Sequence, residues 1–180
     1  HRCGLIRSPV NMIRFDGHLD NLDFRADIVA TYQGIDRFED MFAFCESHLK
    51  KEDDDWVSFA LQTNLINRVL TCYEYADPIN PRYKERMTLI KRFDRMSDQE
   101  KMVWDDFVQS SAALLLDIDC DYFTFHWRGK IYPWPEEFYG REFAQDNRAL
   151  LKRVVDRVPF ITMCLESDFC AGRSNSQQIL

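Results

Sequence analysis

The run Leu114-Leu115-Leu116-Asp117-Ile118-Asp119-Cys120-Asp121 constrains the fold more than any other stretch, because an apolar segment ends there in three alternating acids. In an extended strand successive side chains point to opposite faces, so Asp117, Asp119 and Asp121 are predicted to share one. Carboxylates at that spacing repel one another and resist desolvation unless a cation, a cluster of donors or open water compensates them. A metal site at the end of a strand is the sharpest of those three answers.

A second stretch has the same form. Val10 to Phe15 is apolar except for Asn11 and Arg14 and runs into Asp16-Gly17-His18-Leu19-Asp20, which predicts a buried strand delivering polar groups at its C-terminal end. After the break at Gly34, Asp36 is placed to cap a helix through about Lys50, with Phe38, Met41, Phe42 and Cys45 as its apolar stripe. Asp53, Asp54 and Asp55 lead into a further helical segment from Trp56, acids being favoured at helix N-termini. A strand from Arg68 to Tyr73 follows, and Asp77 to Pro81 reads as a loop. Ser97-Asp98-Gln99-Glu100 has the capping-box pattern and opens a helix that leads into the acidic strand at 113–119. Phe123 to Pro135, rich in aromatics, Gly and Pro, is expected to be a loop; Glu136 to Arg157 one amphipathic helix; and Phe160 to Leu165 a strand that ends at Glu166.

Alternating strands and helices predict an α/β fold, a three-layer arrangement with a mainly parallel sheet flanked by helices. In such sheets ligands bind beyond the carboxyl ends of the strands, where Asp16 to Asp20, Asp117 with Asp119, and Glu166 can converge despite their separation in sequence. Residues 1–171 are expected to form a single domain and 172–180 a flexible tail.

Composition narrows the function classes. With 46% hydrophobic and 14% aromatic residues the chain is not expected to be disordered, and no apolar run approaches the length of a membrane span. A net charge of −7 disfavours a nucleic-acid surface and favours cationic ligands, including metal ions and basic peptides. The six cysteines lack the paired short spacings of a zinc site, and a chain of this size needs no disulfide framework; reduced, mostly buried thiols in a cytoplasmic protein are expected. No basic leader followed by an apolar segment suggests secretion.

Asp-x-His-x-Asp offers two carboxylates and an imidazole on alternate positions, and Asp-x-Asp offers two more carboxylates. Hard oxygen ligands with few histidines and no thiolate suit Mn²⁺ or Mg²⁺ better than structural zinc, and the acids are numerous enough to be shared between two ions. His126, in the aromatic segment after the acidic strand, and His48 are candidates for a proton shuttle, His126 the better placed. Trp127, Tyr132 and Trp134 either line a substrate mouth or pack as core.

These residues carry a resemblance. Asp16-Gly17-His18-Leu19-Asp20 and Asp117-Ile118-Asp119 resemble the two metal-binding motifs of the arginase/agmatinase (ureohydrolase) superfamily, and Glu166 after an apolar strand resembles its guanidinium-binding acid. The Asp-Ile-Asp-x-Asp-Tyr-Phe run and the order of motifs are most similar to the small family that contains the peptide arginases, which convert arginine side chains in ribosomally made precursor peptides to ornithine. The resemblance implies an arginase-like fold and two Mn²⁺ per chain. It implies that Asp16 and Asp117 bridge the ions, that Asp20 and the upstream His1 complete the first, and that His18 and Asp119 complete the second. It implies hydrolysis of the guanidinium with release of urea, Glu166 holding that group and Asp121 contacting substrate or a metal ligand. Larger arginases continue the Asp-x-Asp with Gly-x-Asp-Pro and clasp the ends of free arginine; here Cys120-Asp121-Tyr122-Phe123 follows. That departure points to arginine embedded in a peptide, with or without a leader segment, as substrate.

Two other classes fit parts of the sequence. An apolar strand ending in Asp-x-Asp is also how haloacid-dehalogenase-like phosphatases present a nucleophile to Mg²⁺, with Asp117 as the residue phosphorylated. An inactive metal-binding or peptide-binding module is the third.

Overall fold

A computed structural model describes residues 9–21, 25–49, 56–73, 78–91, 93–143, 145–164 and 170. The chain forms β1 (Val10–Phe15), α1 (Ala26–Gln33), α2 (Phe38–Phe44) running into a π-turn at Cys45–Leu49, α3 (Trp56–Gln62), β2 (Ile66–Cys72) and β3 (Met87–Ile90). It continues through α4 (Asp98–Ser110), β4 (Leu114–Asp119), a 3₁₀ turn at Cys120–Phe123, β5 (Thr124–Trp127), β6 (Lys130–Pro133), α5 (Glu136–Glu142), α6 (Gln145–Val155) and β7 (Ile161–Cys164).

Five strands form one parallel sheet in the order β3-β2-β1-β4-β7, flanked by helices in a three-layer α/β arrangement. The alternation of β1 explains the layers. Ile13 and Phe15 enter a core with Trp104, Phe107 and Val108 of α4 and Leu150 and Val154 of α6. Val10 and Met12 enter a second core on the opposite face, with Val57, Ala60 and Leu61 of α3. The helix pair α1 and α2 adds an outer cluster of Ile28, Ile35, Phe44 and Phe59.

From β1 the chain builds outward to β2 and β3, then α4 carries it back across to place β4 on the other side of β1. The direction of winding therefore reverses between β1 and β4, the kind of crevice in which open α/β sheets bind ligands. Two of the three acid-ended strands predicted from the sequence, β1 and β4, flank it.

Several local expectations change. Phe123–Pro135 is an antiparallel hairpin rather than a loop: β5 and β6 pair from Thr124↔Pro133 to Trp127↔Lys130. Arg128 and Gly129, at φ 51° and 72°, make the left-handed two-residue turn that matches strand twist. The single helix expected over 136–157 is two, α5 and α6. The second strand begins two residues earlier than expected, and α1 and β3 are additional elements. The second helix starts after Arg37, not Asp36, and has no side-chain cap. Its apolar stripe is shifted as well, because Phe44 is buried while Phe42 is 66% exposed. The predicted capping box holds: Ser97 accepts from the Glu100 amide, and Glu100 accepts from the Ser97 amide at 2.8 Å. Among the described residues, Cys45, Cys72, Cys120, Cys164 and Cys170 are not joined in disulfides. Among the described residues no helix is long and apolar enough to cross a membrane.

Candidate metal centre

The end of β1 builds one side of the site. The Asp16 amide donates to the Cys72 carbonyl at 3.1 Å, so the strand stays paired up to Asp16, and the chain then turns. Asp16 Oδ1 accepts the His18 amide at 2.6 Å, an Asx-type turn that swings the imidazole back over the strand end. β4 builds the other side. Its extended backbone stops at Asp119, whose Oδ1 accepts the Asp121 amide at 3.2 Å and caps the 3₁₀ turn.

That turn sends the Asp121 side chain inward. Its Oδ1 accepts the Gly17 amide at 2.8 Å, and its Oδ2 lies 2.6 Å from His18 Nδ1. Only a glycine fits opposite it, because a Cβ at position 17 would stand 2.7 Å from Asp121 Oδ2. Asp16, His18 and Asp121 thus form a group that could hold a metal ion, one ligand atom from each lying within 4.8 Å of the others.

The donor set fits a divalent cation. Asp16 and Asp121 are 1% and 2% exposed, and the buried Oδ2 atom of each accepts no hydrogen bond, although Arg14 and His18 lie in ion contact with them. Two carboxylates and an imidazole form a mixed oxygen and nitrogen set compatible with a hard or borderline ion.

A second cluster adjoins it. The alternation of β1 puts Arg14 on the face of Asp16, and the register sets Arg14 beside Asp117 of β4. Arg14 Nε donates to Asp117 Oδ2 at 3.1 Å, and Nη2 donates to Asp20 Oδ2 at 2.7 Å and pairs with Asp16. Trp56 of α3 donates its indole N–H to Asp20 Oδ2 at 2.8 Å, and the Thr162 hydroxyl of β7 donates to Asp117 Oδ1. Asp20 adopts φ 45°, a left-handed conformation that Asp tolerates better than most residues. Burial raises its carboxyl above the usual range, outweighing the opposing effects of Arg14 and Trp56.

The structure therefore sorts the sequence candidates. Asp16, His18 and Asp121 come together; Asp20 and Asp117 join Asp16 around Arg14; Asp119 is buried at the strand end and holds the turn. Asp121 shares no strand face with Asp117 and Asp119, because the backbone leaves the extended conformation at Cys120. His126 is exposed on the hairpin opposite Ile131, and the His48 ring packs on Phe44. Trp134 is buried, donating its indole N–H to the Thr124 carbonyl, Tyr132 stacks on Phe125, and Trp127 is exposed. His1 and Glu166 lie outside the described residues.

Arg14, Trp56 and Thr162 are site residues that the motifs did not supply. Arg14 carried a signal: a guanidinium inside an otherwise buried strand, two positions before Asp16, requires carboxylate partners on that face. No protein-family model and no curated protein sequence matches this chain.

Proposed function

We propose that the protein is a binuclear manganese hydrolase that converts arginine side chains in a peptide to ornithine and releases urea. The observation that carries this is the Asp16–His18–Asp121 group at the winding reversal, its two carboxylates buried, with Asp20 and Asp117 alongside it. Asp16, Asp20, Asp117 and His1 would hold one Mn²⁺, and Asp16, Asp117, His18 and Asp119 the other; Asp121, beside His18, is a further candidate ligand. Bound there, divalent ions supply Lewis acidity and a nucleophile at neutral pH.

The chain's own residues support the rest. The Asp16 to Asp20 turn and the Cys120–Phe123 turn fix the carboxylates on rigid strand ends, as a precise site requires. The acids, together with Glu166, suit a cationic guanidinium, and the net charge of −7 attracts basic peptide segments. The phosphatase alternative has less support, since both Asp117 oxygens accept hydrogen bonds, from Arg14 and Thr162.

The test is metal analysis combined with urea release from an arginine-containing peptide and from free arginine. The expected outcome is about two Mn²⁺ per chain, urea from the peptide, and loss of both metal and activity in Asp117→Asn. Phosphate release from a phosphoester without urea from any guanidino compound would assign the phosphatase class instead. Metal uptake without turnover of either substrate would leave a binding module.

A further inference from the structure

Arg14 is 1% exposed, and its planar guanidinium is shared among Asp16, Asp20 and Asp117. The remaining nitrogen, Nη1, lies 3.5 Å from the Leu19 carbonyl, and the guanidinium carbon sits 4.9 Å from the centroid of the Trp56 ring. This is a built cation site, desolvated and multidentate, and the cation in it belongs to the chain itself. Its three acids are those that the two-metal reading gives to the first Mn²⁺, whereas Asp16 also gathers with His18 and Asp121.

We propose that Arg14 is a resident counter-cation that competes with the metal for the Asp16–Asp20–Asp117 position. The proposal rests on the two-metal reading. The Asp16–His18–Asp121 position fills first, and the second ion enters only as Arg14 releases Asp20 and Asp117. An arginine suits this task because its fork donates to two carboxylates at once and cannot lose its charge, so the acidic crevice is compensated before any metal arrives. The released guanidinium already lies against the Trp56 ring, a favourable surface for a cation. Coulomb repulsion sets the scale: even at the dielectric of water, a unit charge about 4 Å from a divalent ion weakens its binding roughly thirtyfold.

Mn²⁺ titration calorimetry, electron paramagnetic resonance of the bound Mn²⁺ and thermal melting of the whole chain would test this in wild type, Arg14→Met and Arg14→Gln. Glutamine is included because it is neutral yet still donates to a carboxylate, which protects the fold should methionine fail. The expected result is two Mn²⁺ affinities in wild type, the weaker rising at least about tenfold in either variant. Without metal the variants melt below wild type, since their carboxylates have lost a partner, and Mn²⁺ raises their melting temperature by more than it raises that of wild type. A weaker affinity unchanged in both variants, or loss of Mn²⁺ from variants that remain folded, would overturn the competition and leave Arg14 a purely structural residue. Absence of Mn²⁺ binding in wild type would instead overturn the metal reading, and the proposal with it.

Discussion

Gly17→Ala is the smallest change that should dismantle the candidate centre. The added methyl would lie 2.7 Å from Asp121 Oδ2 and 2.9 Å from its Cγ, well inside van der Waals contact. Asp121 has little room to withdraw, because it is 2% exposed, its backbone is pinned by the Asp119 carboxylate, and its own carboxylate holds both the Gly17 amide and His18. Overpacking of this kind costs about 1–3 kcal/mol. Displacing the carboxylate also loses a charge-assisted hydrogen bond from the Gly17 amide, worth about 1.5–3 kcal/mol. The two costs overlap, and about 3 kcal/mol is the expected total, which for a chain of this size lowers the melting temperature by roughly 6–12 °C. Differential scanning calorimetry measures this directly, with Gly140→Ala as the control. A Cβ at Gly140 meets nothing within 4 Å, and the residue lies within α5, so alanine there should gain about 0.5–1 kcal/mol. Attribution to Asp121 comes from the cycle with Asp121→Ala, in which the two costs should fail to add by about 2 kcal/mol. A Gly17→Ala protein that melts within about 2 °C of the parent would refute the packing of Asp121 on Gly17, and with it the geometry of the metal group.

Two further outcomes test the surrounding fold. Ser97→Ala removes the hydroxyl that caps α4 and breaks the reciprocal box with Glu100; it should cost about 1 kcal/mol in chemical denaturation, and an unchanged midpoint would show that the helix does not depend on the box. Cys120 is fully buried, and its thiol is pushed up to about 11 by burial, with Asp119 and Asp121 adding to the effect, whereas Cys164 is exposed. Alkylation near pH 8 followed by mass spectrometry should therefore label Cys164 in the native protein and Cys120 only after unfolding, because the thiolate is the reacting form. Equal labelling of both would mean that the turn bearing Asp121 is open to solvent.

What the sequence alone determined about this protein is the pair of apolar strands that end in acids, the capped helix that leads into the second of them, and the alternating order of strands and helices. Each is set by local physics: a period of two in β1 and β4, or a serine and a glutamate three residues apart at the start of α4. The parallel sheet and its helical layers follow from that pattern. The hairpin at Thr124 to Pro133 was also local, since Arg128 and Gly129 supply its turn, but its aromatic and proline content resembled a loop.

Only the tertiary structure decided which acids meet. Strand periodicity treats Asp117, Asp119 and Asp121 alike, and it holds only while the backbone stays extended. The 3₁₀ turn at Cys120 breaks it, carrying Asp121 to Gly17 and His18 while Asp119 caps the turn. The placement of β4 beside β1 likewise has no local signature, because it depends on α4 crossing back over the sheet to bury its apolar face against Ile13 and Phe15. That crossing sets Arg14 next to Asp117 and gives the acidic crevice a cation of its own. Charges more than a hundred residues apart can compensate one another only after the sheet has brought them into register.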